Sequence, residues 1–187
     1  MSELFKFHPD FHLSTIVRDV YIETGVGLGK SFRNALRSGF RTLYGIEIDE
    51  ECYKDYSETI LKHVPQDVKV NLYKGSSPDI LDSIIDGNYP TTFWLDAHYT
   101  GSFDSYYDKK YGECPLLKEL EVIVKKDWLR KPLILIDDSV CFTGSFWKRQ
   151  SASQFHPEEW PTLEQILEIL DPHEYTMILN MDILYFF

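Results

Sequence analysis

The residues of this chain that could do chemistry are glycines and acids. Gly25, Gly27 and Gly29 alternate with other residues in Glu23-Thr24-Gly25-Val26-Gly27-Leu28-Gly29-Lys30, directly after the apolar run Val20-Tyr21-Ile22. A strand that runs into Gly-x-Gly-x-Gly and then into a helix suits a nucleotide-type ligand, because glycine lets the backbone turn sharply and approach a ligand without a side-chain clash. The same triplet also suits a plain glycine-rich turn, so the surrounding residues decide. Glu47 closes the next apolar run, the place from which a carboxylate reaches the two hydroxyls of a ribose. Gly29-Lys30-Ser31 has the ending of a phosphate-binding P-loop, but Thr24 stands where that motif needs its first glycine. Glu23 would repel the phosphates of a nucleotide or dinucleotide and suits a cationic ligand instead.

A second acidic group comprises Asp96-Ala97-His98 and the pair Asp137-Asp138, each following an apolar run. Carboxylates at the ends of neighbouring strands repel one another unless something offsets their charge. A hard divalent cation such as Mg²⁺ would do so, with Asp96, Asp137 and Asp138 as ligands. The alternative is that the pair caps a loop and Asp96 accepts backbone hydrogen bonds. His98 titrates near neutrality and is the candidate general base; a metal ligand and a plain loop histidine are the other readings.

These residues need elements to hold them. Short apolar runs alternate with amphipathic stretches, which points to a mostly parallel sheet covered on both faces. Strands are expected at Val20–Glu23, Thr42–Ile48, Val68–Tyr73, Thr91–Leu95 and Leu133–Ile136, with a final pair at Tyr175–Leu179 and Ile183–Phe187 joined as an antiparallel hairpin. Helices are expected from Lys30 to Ser38 before Gly39, after the N-cap Asp49, after Ser77 with Pro78 in first position, through Leu116–Val124, and after Thr162, whose spacing to Gln165 is that of a capping box. Glu23, Glu47, Ser76, Asp96, Asp137 and Asp138 then all fall at carboxyl ends of strands, where open α/β sheets bind ligands. Two long loops, Asp96–Glu113 and Ser139–Trp160, leave the same edge. Their aromatics (Tyr99, Phe103, Tyr106, Tyr107, Tyr111 in the first; Phe142, Phe146, Trp147, Phe155 in the second, with His156) suit either a substrate lid or packing on the domain or on a homodimer partner.

Composition bounds the rest. With 187 residues, 43% hydrophobic, the chain has the size of one domain with a sizeable core. The net charge of −11 disfavours a nucleic-acid partner, and the cluster Lys125, Lys126, Arg130 and Lys131 reads as a solvated helix end. There is no apolar run of membrane-spanning length and no secretory pattern in the first residues. Cys52, Cys114 and Cys141 have no metal-ligand spacing and read as reduced thiols. The expectation is a cytoplasmic protein with no membrane partner.

Glu23-Thr24-Gly25-Val26-Gly27-Leu28-Gly29 resembles motif I of the class I S-adenosylmethionine-dependent methyltransferases. Tyr44-Gly45-Ile46-Glu47-Ile48-Asp49 is similar to their second motif, whose acid binds ribose, and Gly75-Ser76 to the third, at the adenine, where that family more often has Asp in place of Ser76. The resemblance covers nearly the whole chain. It implies a three-layer Rossmann-like α/β sandwich over residues 1–187, of about seven strands, mostly parallel with a C-terminal antiparallel hairpin. It also implies a methyltransferase whose cofactor contacts come from Glu23, Thr24, Gly25, Gly27, Gly29, Glu47, Ile48, Gly75, Ser76 and Asp96. The acids Asp96, Asp137 and Asp138 resemble the Mg²⁺ site of metal-dependent small-molecule O-methyltransferases of the catechol and macrocin type. Glu113-Cys114-Pro115-Leu116-Leu117 and Trp160-Pro161-Thr162-Leu163 look like bacterial and phage relatives of that group. The resemblance implies methylation of a small hydroxylated molecule, a sugar or phenol, with the metal lowering the hydroxyl pKa and His98 and Asp96 as catalytic residues. Catechol-type relatives often use a lysine in this region, but Lys109 and Lys110 lie well along the loop. A non-catalytic S-adenosylmethionine-binding domain and a nucleotide-dependent enzyme using Gly29-Lys30-Ser31 are the alternatives.

Overall fold

A computed structural model describes residues 18–99, 106–143 and 155–187. The N-terminal stretch and Phe103, Phe146 and Trp147 lie outside the described residues. Seven strands form one sheet: β1 (Val20–Thr24), β2 (Thr42–Glu47), β3 (Lys69–Lys74), β4 (Thr91–Leu95), β5 (Leu133–Ile136), β6 (Met177–Asn180) and β7 (Ile183–Phe186), in the order β3-β2-β1-β4-β5-β7-β6. β7 runs antiparallel to β5 and to β6, while the β1–β5 pairings are parallel. The expected three-layer α/β architecture is the one observed.

The order reverses between β1 and β4, so the chain leaves these two neighbours in opposite directions and opens a crevice above their carboxyl ends. Register keeps those ends level: Thr24 pairs with Ile46 on one side and Leu95 on the other, and Leu95 pairs with Ile136. The carboxyl ends of these strands therefore lie along one rim.

Alternation within the strands builds a core on each face of the sheet. Phe93, Leu95, Ile134 and Ile136 pack with Leu81 of α3 (Ser77–Ile84), Leu120 and Ile123 of α4 (Leu116–Lys125), and Ile166 and Leu170 of α6 (Leu163–Leu170). Tyr21, Leu43, Trp94 and Leu135 face the other way, in the cluster that holds Phe32 and Ala35 of α1 (Lys30–Leu36) and Tyr56 and Ile60 of α2 (Glu50–Leu61). Central strands buried on both faces read as unbroken apolar runs, which is why β4 and β5 match their expected limits.

Caps set several boundaries. Asp49 accepts from the Cys52 N–H, and Thr162 and Gln165 make the expected reciprocal box on α6. α3 differs: its N-cap is Ser76 and Pro78 stands in the second position, which the missing N–H also tolerates because the helix leaves its first four N–H groups unpaired. α1 stops two residues earlier than expected, at Leu36. The loop after β5 holds a short helix, α5 (Ser139–Phe142), followed later by a 3₁₀ turn at Pro157–Glu159. α5 is capped from a distance, since the Asp182 carboxylate accepts from the Ser139 hydroxyl and the Val140 N–H. Among the described residues no helix is long and apolar enough to cross a membrane. Lys131, of the basic cluster before β5, donates to the Glu174 carbonyl and lies over the Tyr175 ring.

Leu120 is fully buried where α4 meets α3 and α6. Leu120→Ala is expected to lower the unfolding free energy by about 2–5 kcal/mol in urea titrations, and the exposed Thr162→Ala by about 1 kcal/mol through loss of the cap.

Candidate active site

The crevice holds a cavity of about 600 Å³. It is lined by Gly25–Leu28, Glu47–Asp49, Gly75–Ser77, Asp96–His98 and Asp137, together with Tyr106, Tyr107 and Tyr111. This size suits a drug-sized ligand.

Gly25 makes the loop possible. It has φ +69°, and a Cβ there would lie 2.2 Å from the Asp96 carbonyl oxygen, so the first glycine loop and the chain leaving β4 touch backbone to backbone. Glu47 then organises the rest of the loop. Its carboxylate accepts from the Gly27 N–H at 2.6 Å and from the Asp49 N–H at 2.8 Å, while the residue still lines the cavity. Burial raises the Glu47 pKa, and these N–H groups oppose the rise.

Of the ten positions expected to contact a cofactor, Gly25, Gly27, Glu47, Ile48, Gly75, Ser76 and Asp96 line the cavity, whereas Glu23, Thr24 and Gly29 do not. Glu23 is fully buried behind the loop and accepts from the Tyr21 hydroxyl at 2.7 Å and from the Ser31 hydroxyl. Burial raises its pKa to about 8, against the pull of the two hydroxyls. Glu23 therefore meets the cavity only through Ser31, whose hydroxyl it accepts from and which lines the cavity. The sequence offered Ser31 only as part of an incomplete P-loop. Thr24 is buried in β1, where its carbonyl accepts from the Asp96 N–H, and Gly29 packs against Ile60 and Arg33.

The three aspartates do not converge on one point. Asp96, His98 and Asp138 form the close group; Asp137 stands outside it and faces the cavity. Asp138 has φ +53°, and the Asp137 carboxylate accepts from its backbone N–H. His98 Nε2 lies 2.9 Å from Asp138, and Nδ1 lies 3.5 Å from Asp96. Burial alone would lower the His98 pKa, but the Asp138 hydrogen bond and the surrounding carboxylates outweigh it and raise it. Burial lifts Asp137 to about 6. His98 lines the cavity while its Nε2 is held by Asp138. Ligand atoms of Asp96, His98 and Asp138 lie within 4.8 Å of one another, a group that could hold a metal ion, so the candidate ligand set has the imidazole where the sequence suggested Asp137.

Aromatic residues of both loops back this group. Trp160 stacks near His98, 5.1 Å between ring centres, and contacts Phe142 and Phe155. Glu113 ties the two loops together: nearly fully buried, it accepts from the Trp160 indole N–H, the His156 backbone N–H and the His156 ring. Its own N–H donates to Glu159. No sequence pattern marked Glu113 for this role. Lys110 and Tyr111 reach Asp79 on α3, which accounts for Lys110 outside the catalytic end.

No protein-family model matches the chain, and no curated protein does at the level of sequence. Solved structures do. A Staphylococcus aureus protein assigned as a caffeoyl-CoA O-methyltransferase superimposes with TM-score 0.61 at 15% identity, over 90% of this chain and 76% of that one. The O-methyltransferase TomG from Streptomyces achromogenes, solved with S-adenosylmethionine, gives 0.60 at 15%, over 92% and 73%. Precorrin-6y C5,15-methyltransferase from Geobacter metallireducens gives 0.54 at 13%, over 93% and 82%. The chain has the S-adenosylmethionine-dependent methyltransferase fold. Within that fold the cavity occupies the switch point between β1 and β4.

The Glu23 carboxyl gives this fold a pH signature. Its pKa lies near 8 in the folded chain against an ordinary 4.5. Between those values the folded state holds a proton that the unfolded chain has lost, so the stabilisation falls as pH rises through the window. Urea midpoints of the ligand-free protein are expected to drop from about pH 5 to about pH 8, and Glu23→Gln to drop less.

Proposed function

We propose that this protein is an S-adenosylmethionine-dependent methyltransferase acting on a hydroxyl group of a small molecule, a sugar or a phenol. The observation that carries the reading is Glu47: a carboxylate at the carboxyl end of β2, clamped to the glycine loop and still lining a cavity at the sheet's switch point. Such a group accepts hydrogen bonds from both hydroxyls of a ribose.

Bound there, S-adenosylmethionine would supply an electrophilic methyl group. Gly27 and Ser31 line the side nearest α1, Gly75 and Ser76 the side nearest α3. Asp137 gives the cavity a carboxylate that suits a cationic centre, and Asp96, whose pKa burial raises to about 8, gains its charge as a cation approaches. Asp137 faces the cavity with a pKa near 6 and can take the proton of an acceptor hydroxyl at neutral pH. Asp138 and Trp160 orient His98. A divalent cation is the second way to balance the charge, either Mg²⁺ on Asp96, Asp137 and Asp138 or a cation on the closer group Asp96, His98 and Asp138. The acidic surface supports a small-molecule acceptor over a nucleic acid.

Calorimetric titration with S-adenosylmethionine is expected to give saturable binding, weakened about 10- to 100-fold by Glu47→Ala through loss of charge-assisted hydrogen bonds. Absence of heat and of any thermal shift would sink the reading. Release of S-adenosylhomocysteine with a panel of catechols and sugars tests turnover; binding without release from any acceptor would favour a non-catalytic cofactor-binding domain. ATP binding that depends on Lys30 would favour the nucleotide-dependent alternative.

A further inference from the structure

We propose that Glu113, His156 and Glu159 form a site for a divalent transition-metal ion, zinc being the ion the donor set suits, where the two long loops meet. None of the three residues lines the cavity. The site therefore stands apart from the acids of the cavity and does not rest on the methyltransferase reading.

One ligand atom from each of the three residues lies within 4.8 Å of the other two. Around a tetrahedral zinc ion, with bonds of about 2.0–2.1 Å, ligand atoms stand about 3.3 Å apart. Glu113 Oε1 and His156 Nδ1 are already 2.8 Å apart. The remaining closure falls to Glu159, whose exposed side chain can rotate. His156 and Glu159 bracket the 3₁₀ turn at Pro157–Glu159, and residues three apart in such a turn share a side. Gly112 leaves room for the third ligand. It has φ +75°, and a Cβ there would lie 3.0 Å from Glu159 Oε2.

The other atoms of these ligands are held in place. Glu113 Oε2 accepts from the Trp160 indole N–H and the His156 backbone N–H, which leaves Oε1 for the His156 ring. Glu159 Oε2 accepts from the Glu113 backbone N–H. Carboxylate ligands fixed by such hydrogen bonds are a regular part of metal centres.

Charge points the same way. Glu113 is only 1% exposed, and burying a carboxylate without a full counter-charge is costly. Among the described residues no lysine or arginine pairs with Glu113 or Glu159; His156 is the ion-pair partner of Glu113. One imidazole cannot offset two carboxylates. A divalent ion can, and its binding displaces to solvent the proton that Glu113 Oε1 and His156 Nδ1 share. The nitrogen donor favours zinc over magnesium or calcium, which prefer oxygen ligands throughout.

The test titrates zinc into the full chain by calorimetry after chelator treatment, and the histidine ¹⁵N spectrum identifies the ring that binds. Wild type is expected to take one zinc equivalent saturably below about 100 μM, with His156 shifted and the thermal midpoint raised. His156→Ala and Glu159→Gln alter exposed side chains, and each is expected to weaken this binding about tenfold or more. Asp138→Asn, which disrupts the separate group of Asp96, His98 and Asp138, is expected to leave it unchanged. No saturable binding below about 100 μM would overturn the proposal, and so would binding that both His156→Ala and Glu159→Gln leave intact. Zinc that shifts His98 alone and is lost in Asp138→Asn would also overturn it. If the two loop variants fail to fold, the wild-type ¹⁵N spectrum decides by itself: a His156 shift at stoichiometric zinc supports the site, and an unmoved His156 overturns it.

Discussion

The site depends on one close approach. The glycine loop after β1 and the chain leaving β4 meet backbone to backbone at Gly25 and Asp96, with no room for a Cβ between them. Two strands that diverge in connectivity must still be adjacent for a switch-point crevice to exist, and their outgoing chains must cross its mouth without filling it. Gly25 satisfies both demands. With that contact formed, Gly27 falls within reach of Glu47, and Asp96 and His98 line the same cavity. The cavity is what remains between them.

Around this contact the chain handles an excess of acid largely with neutral donors. Glu23 takes two hydroxyls, Glu47 two backbone N–H groups, and Glu113 an indole, a backbone N–H and the ring of His156. Asp138 takes His98. Burying a carboxylate is costly unless its lone pairs are filled, and these partners fill them while adding no strongly basic group. Donors do not offset burial completely, and the pKa still rises to about 8 at Glu23 and about 6 at Asp137. The result is a crevice whose walls are acidic but largely committed, leaving Glu47, Asp96 and Asp137 facing the cavity. That arrangement suits a ligand carrying hydroxyls and positive charge.

The fold is shared with proteins whose acceptors differ, from the O-methyltransferase TomG to precorrin-6y C5,15-methyltransferase. Acceptor choice in such a frame lies with the loops that leave the rim. Here Glu113 joins them, and Trp160 passes that joint on to His98, so a change of loop packing reaches the acidic end through a short chain of contacts.

Much of the fold was legible in the chain itself. Unbroken apolar runs gave β4 and β5, and caps gave α2 and α6, because period and capping are local properties. The glycine loop and Glu47 were legible for the same reason: strand ends in an alternating α/β chain must fall on one rim. Side-chain direction was not local. Glu47 ends β2 and faces the cavity, whereas β1 runs one residue beyond Glu23 to Thr24 and Glu23 is sealed behind Ser31. The adjacent acids Asp137 and Asp138 look equivalent in sequence, but the left-handed turn at Asp138 sends them to different partners. Glu113 gained its role from Trp160 and His156, more than forty residues away, as α5 gained its cap from Asp182. Sequence alone determined which groups would gather at the rim; only the tertiary structure decided which of them meet each other and which meet a ligand, because that depends on contacts between distant segments that no local pattern encodes.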